Sequence, residues 1–269
     1  MRTLNHSDGT TMRLAKNTAH SFAMNSAIAL YNLGAVYSYI PKNACSTLRW
    51  SSAISNCLCT ENGDVNWINK NNGTFAPSLE FSAKASYAFV VLRCPFRRLA
   101  SAFLDKVVSG KSSARRLILG KYYRLAKPFS QHFSDTLTFS GFCSVIARRQ
   151  SDTLDGHWRP QSHFLLYTHY DDYFCVEEFE KAEKKLNEIG LQIFDTRKQL
   201  KHNSSRFEPV EGDYSSTSCK ELRAMQKNGI APSYASLFDD DSRKIVDAVY
   251  KDDIDLFKEK FGTKNMLFI

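Results

Sequence analysis

The sequence predicts an α/β fold in which a mainly parallel sheet is flanked by helices. Apolar, β-favouring runs alternate with helical segments along the chain, and this alternation is typical of parallel sheets. The run Tyr87–Leu92 (YAFVVL) is apolar throughout, as expected for a strand that is buried on both faces. Because no linker rich in Pro, Gly or Ser divides the 269 residues, we predict one domain over residues 1–269.

The first hundred residues are predicted to pass from helix to strand and back. Their patterns predict a helix at Thr18–Leu30, a strand at Ala35–Ile40, a helix at Ser46–Cys57, a loop at Asn56–Asn72 and the strand Tyr87–Leu92. Pro95 suits the first turn of a further helix. The apolar residues of that helix fall on one face, namely Leu99, Phe103, Leu104 and Val107.

The later part of the chain continues this alternation. The patterns predict a strand at Tyr173–Val176, an amphipathic helix at Glu178–Ile189, a short strand at Gln192–Phe194, a polar loop at Ser204–Ser218, and one or two helices over Ser242–Phe261. Gly190 is expected to end the amphipathic helix.

Composition narrows the classes of partner. Hydrophobic residues make up 43% of the chain, which supplies a full core and excludes a disordered chain. There are 36 Lys and Arg against 28 Asp and Glu, for a formal charge of +8. This balance favours an anionic partner such as nucleic acid, a phosphorylated cofactor, an acidic sugar or a membrane surface. The basic run Lys111–Arg124 is predicted to be a solvated helix face, with steering of an anionic polysaccharide as the alternative.

Cysteine use and the N-terminal stretch bear on the compartment. Seven Cys without a CxxC spacing indicate neither a disulfide framework nor a zinc ribbon, and reduced thiols are typical of the cytoplasm. Asn17–Pro41 is uncharged and follows basic residues, like a signal or anchor segment. Polar residues such as His20 and Asn25 interrupt it, so we expect no transmembrane segment, which leaves peripheral membrane association open.

The segment Tyr39–Trp50 (YIPKNACSTLRW) has the composition of a phosphate cradle. An apolar strand leads into a turn with Lys42, and two hydroxyl residues, Ser46 and Thr47, open the next helix. The N–H groups and dipole of a helix N-terminus favour an anion, and Lys42 adds a positive charge. The segment is not a Walker A loop, because it contains no Gly. A plain strand, turn and Ser/Thr helix cap is the alternative.

A second candidate anion site follows the buried strand. Arg93 is placed at the carboxyl end of Tyr87–Leu92, where open α/β sheets bind ligands, and a guanidinium can grip a phosphate with two hydrogen bonds. Ser101 lies eight residues further along, inside the predicted helix. The alternative is that Arg93 pairs with a nearby carboxylate and that Ser101 is an ordinary residue of the helix face.

Together these segments resemble two motifs of the sulfotransferases that use 3′-phosphoadenosine 5′-phosphosulfate (PAPS). Pro41–Ser46 (PKNACS) is similar to their 5′-phosphosulfate loop, and Arg93–Phe103 (RCPFRRLASAF) to their 3′-phosphate motif, R-x-PF-x-R-L-x-SAF. Gly156–Gln161 (GHWRPQ) and Tyr250–Phe257 (YKDDIDLF) are similar to later motifs of the carbohydrate sulfotransferases of the chondroitin, dermatan and HNK-1 type. The resemblance covers a core at about residues 36–262, with the motifs in the same order.

The resemblance implies a P-loop-like domain that transfers a sulfuryl group from PAPS, as co-substrate, to a hydroxyl of a carbohydrate or glycan. Lys42 would act as a catalytic residue that stabilises charge on the departing phosphate. Arg93 and Ser101 would bind the 3′-phosphate. The 5′-phosphosulfate would lie on the loop that contains Lys42, Asn43, Ala44, Cys45, Ser46 and Thr47. No metal is implied, and the sequence offers no good set of metal ligands.

A hydroxyl nucleophile needs a general base, and the resemblance favours His157 as this second catalytic residue. The alternative is a structural histidine packed beside Trp158. His163 and His132 are weaker candidates for the base.

Three residues are candidate contacts of the acceptor, which can be an anionic polysaccharide. Arg159 and Gln161 would contact it or, alternatively, anchor their own loop. His202 lies in Lys201–Ser205, a segment that resembles the family and would close over the nucleotide or the acceptor. A solvated polar turn is the alternative for that segment.

The chain also departs from the Golgi members of that family, which carry a membrane anchor and usually have cysteines after HW-x-PQ. Phe164–His169 contains none, so we predict a cytoplasmic, bacterial-type enzyme of polysaccharide biosynthesis. Two other functions compete, a P-loop-type nucleotide-binding kinase or hydrolase and a basic nucleic-acid-binding protein. A kinase or hydrolase of this type needs a Gly-rich loop, which the segment Tyr39–Trp50 lacks. Nucleic-acid binding is suggested by net charge alone, so no nucleic-acid partner is expected.

Overall fold

The computed structural model describes residues 1–7, 12–109, 135–196 and 207–269. The chain divides into two compact units. The first unit contains Met1–Arg93 and Gln161–Lys201, and the second contains Cys94–Pro160 and His202–Ile269. The assignment of all 269 residues to one domain stays a prediction.

The central sheet belongs to the first unit. Its strands are β1 (Ala27–Leu30), β2 (Ala35–Ser38), β3 (Tyr87–Leu92) and β4 (Asp172–Cys175), in the order β1-β2-β3-β4. β1 pairs antiparallel with β2, whereas β2, β3 and β4 are parallel. The prediction of an α/β fold with a mainly parallel sheet is therefore confirmed.

The helices begin and end close to several of the predicted positions. In chain order they are α1 (Thr18–Asn25), α2 (Cys45–Ser55), α3 (Trp67–Lys70), α4 (Leu79–Lys84), α5 (Pro95–Ala102), α6 (Phe139–Ala147), α7 (Phe179–Glu188), α8 (Cys219–Lys227), α9 (Asp240–Val249) and α10 (Lys251–Phe261). The segment predicted as one or two helices thus forms two, α9 and α10, which Tyr250 separates. α4, α6 and α8 are absent from the sequence prediction.

The predicted helix Thr18–Leu30 is wrong in its second half. α1 ends at Asn25, and the chain returns as strand β1, in which Ala27 lies opposite Ser38 of β2. The turn between the two strands depends on Gly34, which has φ 57° and adopts the left-handed conformation that glycine tolerates. All four residues of β1 are buried, so an apolar pattern alone does not distinguish this strand from a buried helix.

Three further predictions need correction. Gln192–Phe194 is not a strand, because the N–H groups of Ile193 and Phe194 donate to side chains, Asn187 Oδ1 at 3.1 Å and Ser51 Oγ at 3.0 Å. The predicted loops also contain regular structure: α3 lies within Asn56–Asn72, and Glu208–Val210, strand β5, lies within Ser204–Ser218. β5 pairs in parallel with β6 (Ile230–Pro232) in the second unit.

Side-chain caps fix where several helices begin. The side chain of Asn17 accepts a hydrogen bond from the backbone N–H of His20 at the start of α1. Reciprocal capping boxes open α8, between Ser218 and Glu221, and α9, between Asp239 and Ser242. Five of the ten helices named above begin without a side-chain cap among the described residues, namely α2, α3, α5, α7 and α10.

Candidate active site

The turn between β2 and α2 is locally unfavourable for its sequence. Lys42 has φ 75° and Ala44 has φ 54°, although neither is a glycine. Such left-handed residues cost about 1–2 kcal/mol each. Ala44 is also the N-cap of α2 and provides no side-chain hydrogen bond, although alanine is among the poorer N-cap residues. Conflicts of this kind between local sequence and structure are typical of functional sites.

This turn has the donors of an anion site. No acidic residue lies in the first turn of α2, and no side chain of the described residues caps it, so its N–H groups are suited to bind an anion. Lys42, Cys45 and Ser46 are half-buried beside them. Thr47 is buried, and its hydroxyl shares a hydrogen bond of 3.0 Å with that of Thr196.

Two buried side-chain amides connect this turn to the end of β3. Asn43 is fully buried, and its Nδ2 donates to Val91 O at 2.9 Å and to Gln161 Oε1 at 2.6 Å. Gln161 Oε1 also accepts from the backbone N–H of Arg93 at 3.0 Å, and its Nε2 donates to Arg93 O at 2.9 Å. The side chain of Gln161 therefore binds the backbone of Arg93 as a neighbouring strand would.

These contacts favour the anchoring alternative for Gln161, whose role stays a prediction. Gln161 is 1% exposed, and its amide is occupied by Asn43 and by the backbone of Arg93. Asn43 Oδ1 is buried and accepts no hydrogen bond in the part of the chain that the structure describes. The amide network thus connects the turn at Asn43 to Arg93 within the first unit.

Replacing Gln161 with Met is expected to destabilise the protein by about 2–4 kcal/mol, because the backbone N–H and C=O of Arg93 and one N–H of the Asn43 amide lose their partner. Methionine fills a similar volume, so a cavity contributes little. Urea denaturation measures this change, with the exposed Gln192→Met as the control. A loss below about 0.5 kcal/mol, equal to that of an ordinary surface substitution, contradicts the anchoring role.

Arg93 has a carboxylate partner, as the alternative interpretation anticipated. Its Nη1 donates to Lys42 O at 3.1 Å, and its Nε lies 3.6 Å from Glu177 Oε1. Both side chains are only 14% exposed. Glu177 was not predicted from the sequence, although its position just after β4 indicates the carboxyl edge of the sheet. Burial, followed by the nearby Glu177, raises the pKa of Cys175 to about 12.

In the second unit, buried side chains donate hydrogen bonds to the backbone carbonyl groups of the segment Gly156–Pro160. Arg98, 2% exposed, donates to Arg159 O at 2.8 Å and to Gly156 O at 2.9 Å. The hydroxyl of Tyr250, also buried, donates to Trp158 O at 2.6 Å. Three backbone carbonyls within four residues therefore have buried donors, which fixes the conformation around His157.

His157 forms a hydrogen-bonded pair with Asp155, a residue that was not predicted from the sequence. His157 Nδ1 lies 2.6 Å from Asp155 Oδ1, and the same oxygen accepts from the backbone N–H of His157 at 3.0 Å. The His157 side chain remains 31% exposed. In the neutral tautomer whose Nδ1–H donates a hydrogen bond to Asp155 Oδ1, Nε2 of His157 is an acceptor. The Asp-x-His spacing was the available signal for this pair.

The electrostatics of the pair favour the ionised carboxylate. Burial opposes ionisation of Asp155, but the hydrogen bonds from the side chain and backbone of His157 outweigh it, and the charge of Lys106 acts in the same direction. The pKa of Asp155 therefore lies below its ordinary value. A carboxylate held in this form can orient the ring of His157 and stabilise it when it takes up a proton.

The other predicted residues are distributed as follows. Ser101 is buried on α5 of the second unit. Arg159 Nε donates to Leu154 O at 3.1 Å, a contact within its own loop. His163 belongs to the first unit, where it lies near His6. Residues outside the described ranges are His132, the run Lys111–Arg124, and Lys201–Ser205 with His202.

The described residues contain no group of three or more His, Cys, Asp or Glu arranged to hold a metal ion. No helix among them is long and apolar enough to span a membrane.

Comparison with known proteins gives one match. A family model described as "Sulfotransferase family" matches residues 31–260, a range that includes β2, the turn at Lys42, the segment around His157 and most of α10. No curated protein and no solved structure matches the chain.

Proposed function

The chain belongs to the sulfotransferase family, and from this premise we propose that it transfers a sulfuryl group from PAPS to a hydroxyl of a carbohydrate or glycan. The observation that supports this most is the uncapped N-terminus of α2, which follows the left-handed Lys42 and Ala44. The likeness to the chondroitin, dermatan and HNK-1 type is the reason for choosing a carbohydrate acceptor, and that choice is part of the proposal.

We assign the 5′-phosphosulfate of the donor to the turn between β2 and α2. During transfer, a bond forms between sulfur and the acceptor oxygen, and the bond between sulfur and the bridging phosphate oxygen breaks. Negative charge then develops on the bridging oxygen. The ammonium of Lys42 and the N–H groups of α2 would stabilise that charge, because preorganised donors act most strongly where charge appears in the transition state.

The acceptor hydroxyl loses its proton in the same reaction. We assign the proton to Nε2 of His157, with Asp155 bound to Nδ1 as a positioning residue. General bases of this kind contribute about 10²–10⁴-fold to rate. Arg159 would act through the loop that carries His157, because its Nε donates to Leu154 O.

The competing functions have less support. A P-loop kinase or hydrolase needs a Gly-rich phosphate loop, and the turn Pro41–Ala44 contains no glycine. A nucleic-acid-binding protein is suggested only by the formal charge of +8.

Binding of 3′-phosphoadenosine 5′-phosphate (PAP) tests the donor assignment. At a concentration of about 100 times its Kd, PAP should stabilise the protein by about 2.7 kcal/mol. We expect ADP, which lacks the 3′-phosphate, to stabilise it less. Thermal unfolding with each ligand measures the two stabilisations. The double variant Arg93→Met, Glu177→Gln removes the cation of Arg93 together with the charge of the carboxylate that pairs with it. Equal shifts with PAP and ADP would argue against the donor.

Transfer of labelled sulfate from PAPS tests the acceptor. A panel of neutral and uronic-acid polysaccharides, proteins and small phenols separates carbohydrate from other hydroxyl acceptors. We expect label on a polysaccharide. Label on a phenol or a protein alone would retain the sulfotransferase activity and exclude a carbohydrate acceptor.

A further inference from the structure

Arg97 has no hydrogen-bond acceptor among the residues that the structure describes. Within the described ranges, Arg97 makes no hydrogen bond or ion pair, and its Nε is buried. The residue as a whole is half-buried, so its terminal nitrogens are the part that reaches solvent. The neighbouring Arg98, by contrast, donates to two carbonyl oxygens.

A half-buried guanidinium without an acceptor is unfavourable, because water does not replace the lost hydrogen bond of the buried N–H. Arginine also presents a planar fork of donors that matches a phosphate oxygen pair. An external anion would therefore supply the acceptor that the Arg97 guanidinium lacks among the described residues.

Arg97 lies on the same face of α5 as Ser101. The two residues are four apart, the spacing that brings side chains together on a helix. Arg97 lies in the first turn of α5, which contains no acidic residue, and the dipole at this end of a helix favours a negative charge. A cation, a hydroxyl and the helix dipole are thus combined within the second unit.

We propose that Arg97, together with Ser101, binds the 3′-phosphate of the donor. This inference rests on the proposed function. Position 97 is one that the motif R-x-PF-x-R-L-x-SAF leaves open, so the additional cation is a property of this chain. Arg97 would supply a phosphate contact that is not already shared with a protein carboxylate, whereas Arg93 has Glu177 as its partner.

Calorimetric titration of the full chain with PAP and with AMP tests this role. The Arg97→Met variant keeps the buried stem and removes the guanidinium, and Arg97→Lys keeps the charge without the fork. We expect PAP to bind Arg97→Met about 10- to 100-fold more weakly, the range of a charged hydrogen bond. AMP binding should change by less than about twofold, and Arg97→Lys should lie between wild type and Arg97→Met.

The exposed Arg148→Met, which removes one positive charge from the second unit, is the matched control and should bind PAP like wild type. Thermal unfolding without ligand checks that each variant folds. If wild type prefers PAP to AMP and Arg97→Met keeps that preference, the inference is overturned and the proposed donor stands. If Arg97→Met instead raises only the KM of an anionic acceptor, the phosphate assignment is also overturned. If wild type itself shows no preference for PAP, both the donor and this inference fall.

Discussion

Lys42→Met is expected to lower kcat by about 10²–10³-fold, the loss typical of removing one charge-stabilising donor from a transition state. The methionine keeps most of the length of the side chain and removes the ammonium that we assign to the departing phosphate. Binding of PAP should weaken much less than kcat falls, because the charge on the bridging oxygen develops only during transfer. Steady-state kinetics with PAPS and titration with PAP measure the two effects.

The backbone at Lys42 offers a control that separates activity from folding. Lys42 has φ 75°, so Lys42→Gly removes the side chain and relieves the left-handed strain in one step. We expect Lys42→Gly to be at least as stable as wild type and as inactive as Lys42→Met. The exposed Lys70→Met should retain full activity. A Lys42→Met variant with more than about a tenth of wild-type kcat would contradict the assigned role.

His157→Asn is expected to lower kcat by about 10²–10⁴-fold. The asparagine amide can still donate to Asp155 in place of Nδ1, so the loop should remain in position while the base is lost. Asp155→Asn should lower kcat by a smaller factor, since Nε2 remains but the ring is less well oriented. The pH profile of kcat distinguishes a base from a structural residue: we expect wild type to show an acid limb and His157→Asn to lose it. If that limb persists, another residue accepts the proton.

The lowered pKa of Asp155 gives an independent readout of the pair. A carboxyl whose pKa is lower in the folded protein contributes stability above its ordinary value of 3.8 and loses it as the pH falls through the folded value. In His157→Ala, which removes the side-chain hydrogen bond, the pKa of Asp155 should rise towards 3.8. The difference in stability between wild type and His157→Ala should therefore shrink as the pH is lowered below about 4. NMR titration of Asp155 and denaturation at two pH values measure these effects.

Elements with a strong apolar or helical period were predictable. β3, α2 and α7 were predicted to within about two residues, because burial of one face or two faces leaves a clear pattern. β1 was mistaken for helix because four apolar residues have no period of their own, and pairing with β2 decides their conformation. Gln192–Phe194 failed for the opposite reason, since its N–H groups bind the side chains of Asn187 and Ser51 rather than a strand.

For the site, the motifs indicate candidate residues but do not say what each one contacts. The pattern places Gln161 near the site, yet only the structure shows its amide bound to the backbone of Arg93. Glu177 and Asp155 belong to none of the motifs described above. The fold brings Glu177 to Arg93, and a local turn brings Asp155 to His157. The roles given to all of the candidate site residues, including Ser101 and His202, stay predictions.

The position of β4 in the chain has a consequence during synthesis. β4 completes the sheet beside β3 but follows it by about eighty residues, most of which belong to the second unit. At about 5–20 residues per second, a ribosome delivers β4 roughly 4–16 s after β3. Throughout that interval the apolar edge of β3 has no partner strand, and unpaired edges of this kind promote aggregation. Slower translation of the intervening residues lengthens this exposure in proportion, so yield in cells should respond to codon choice between the two strands.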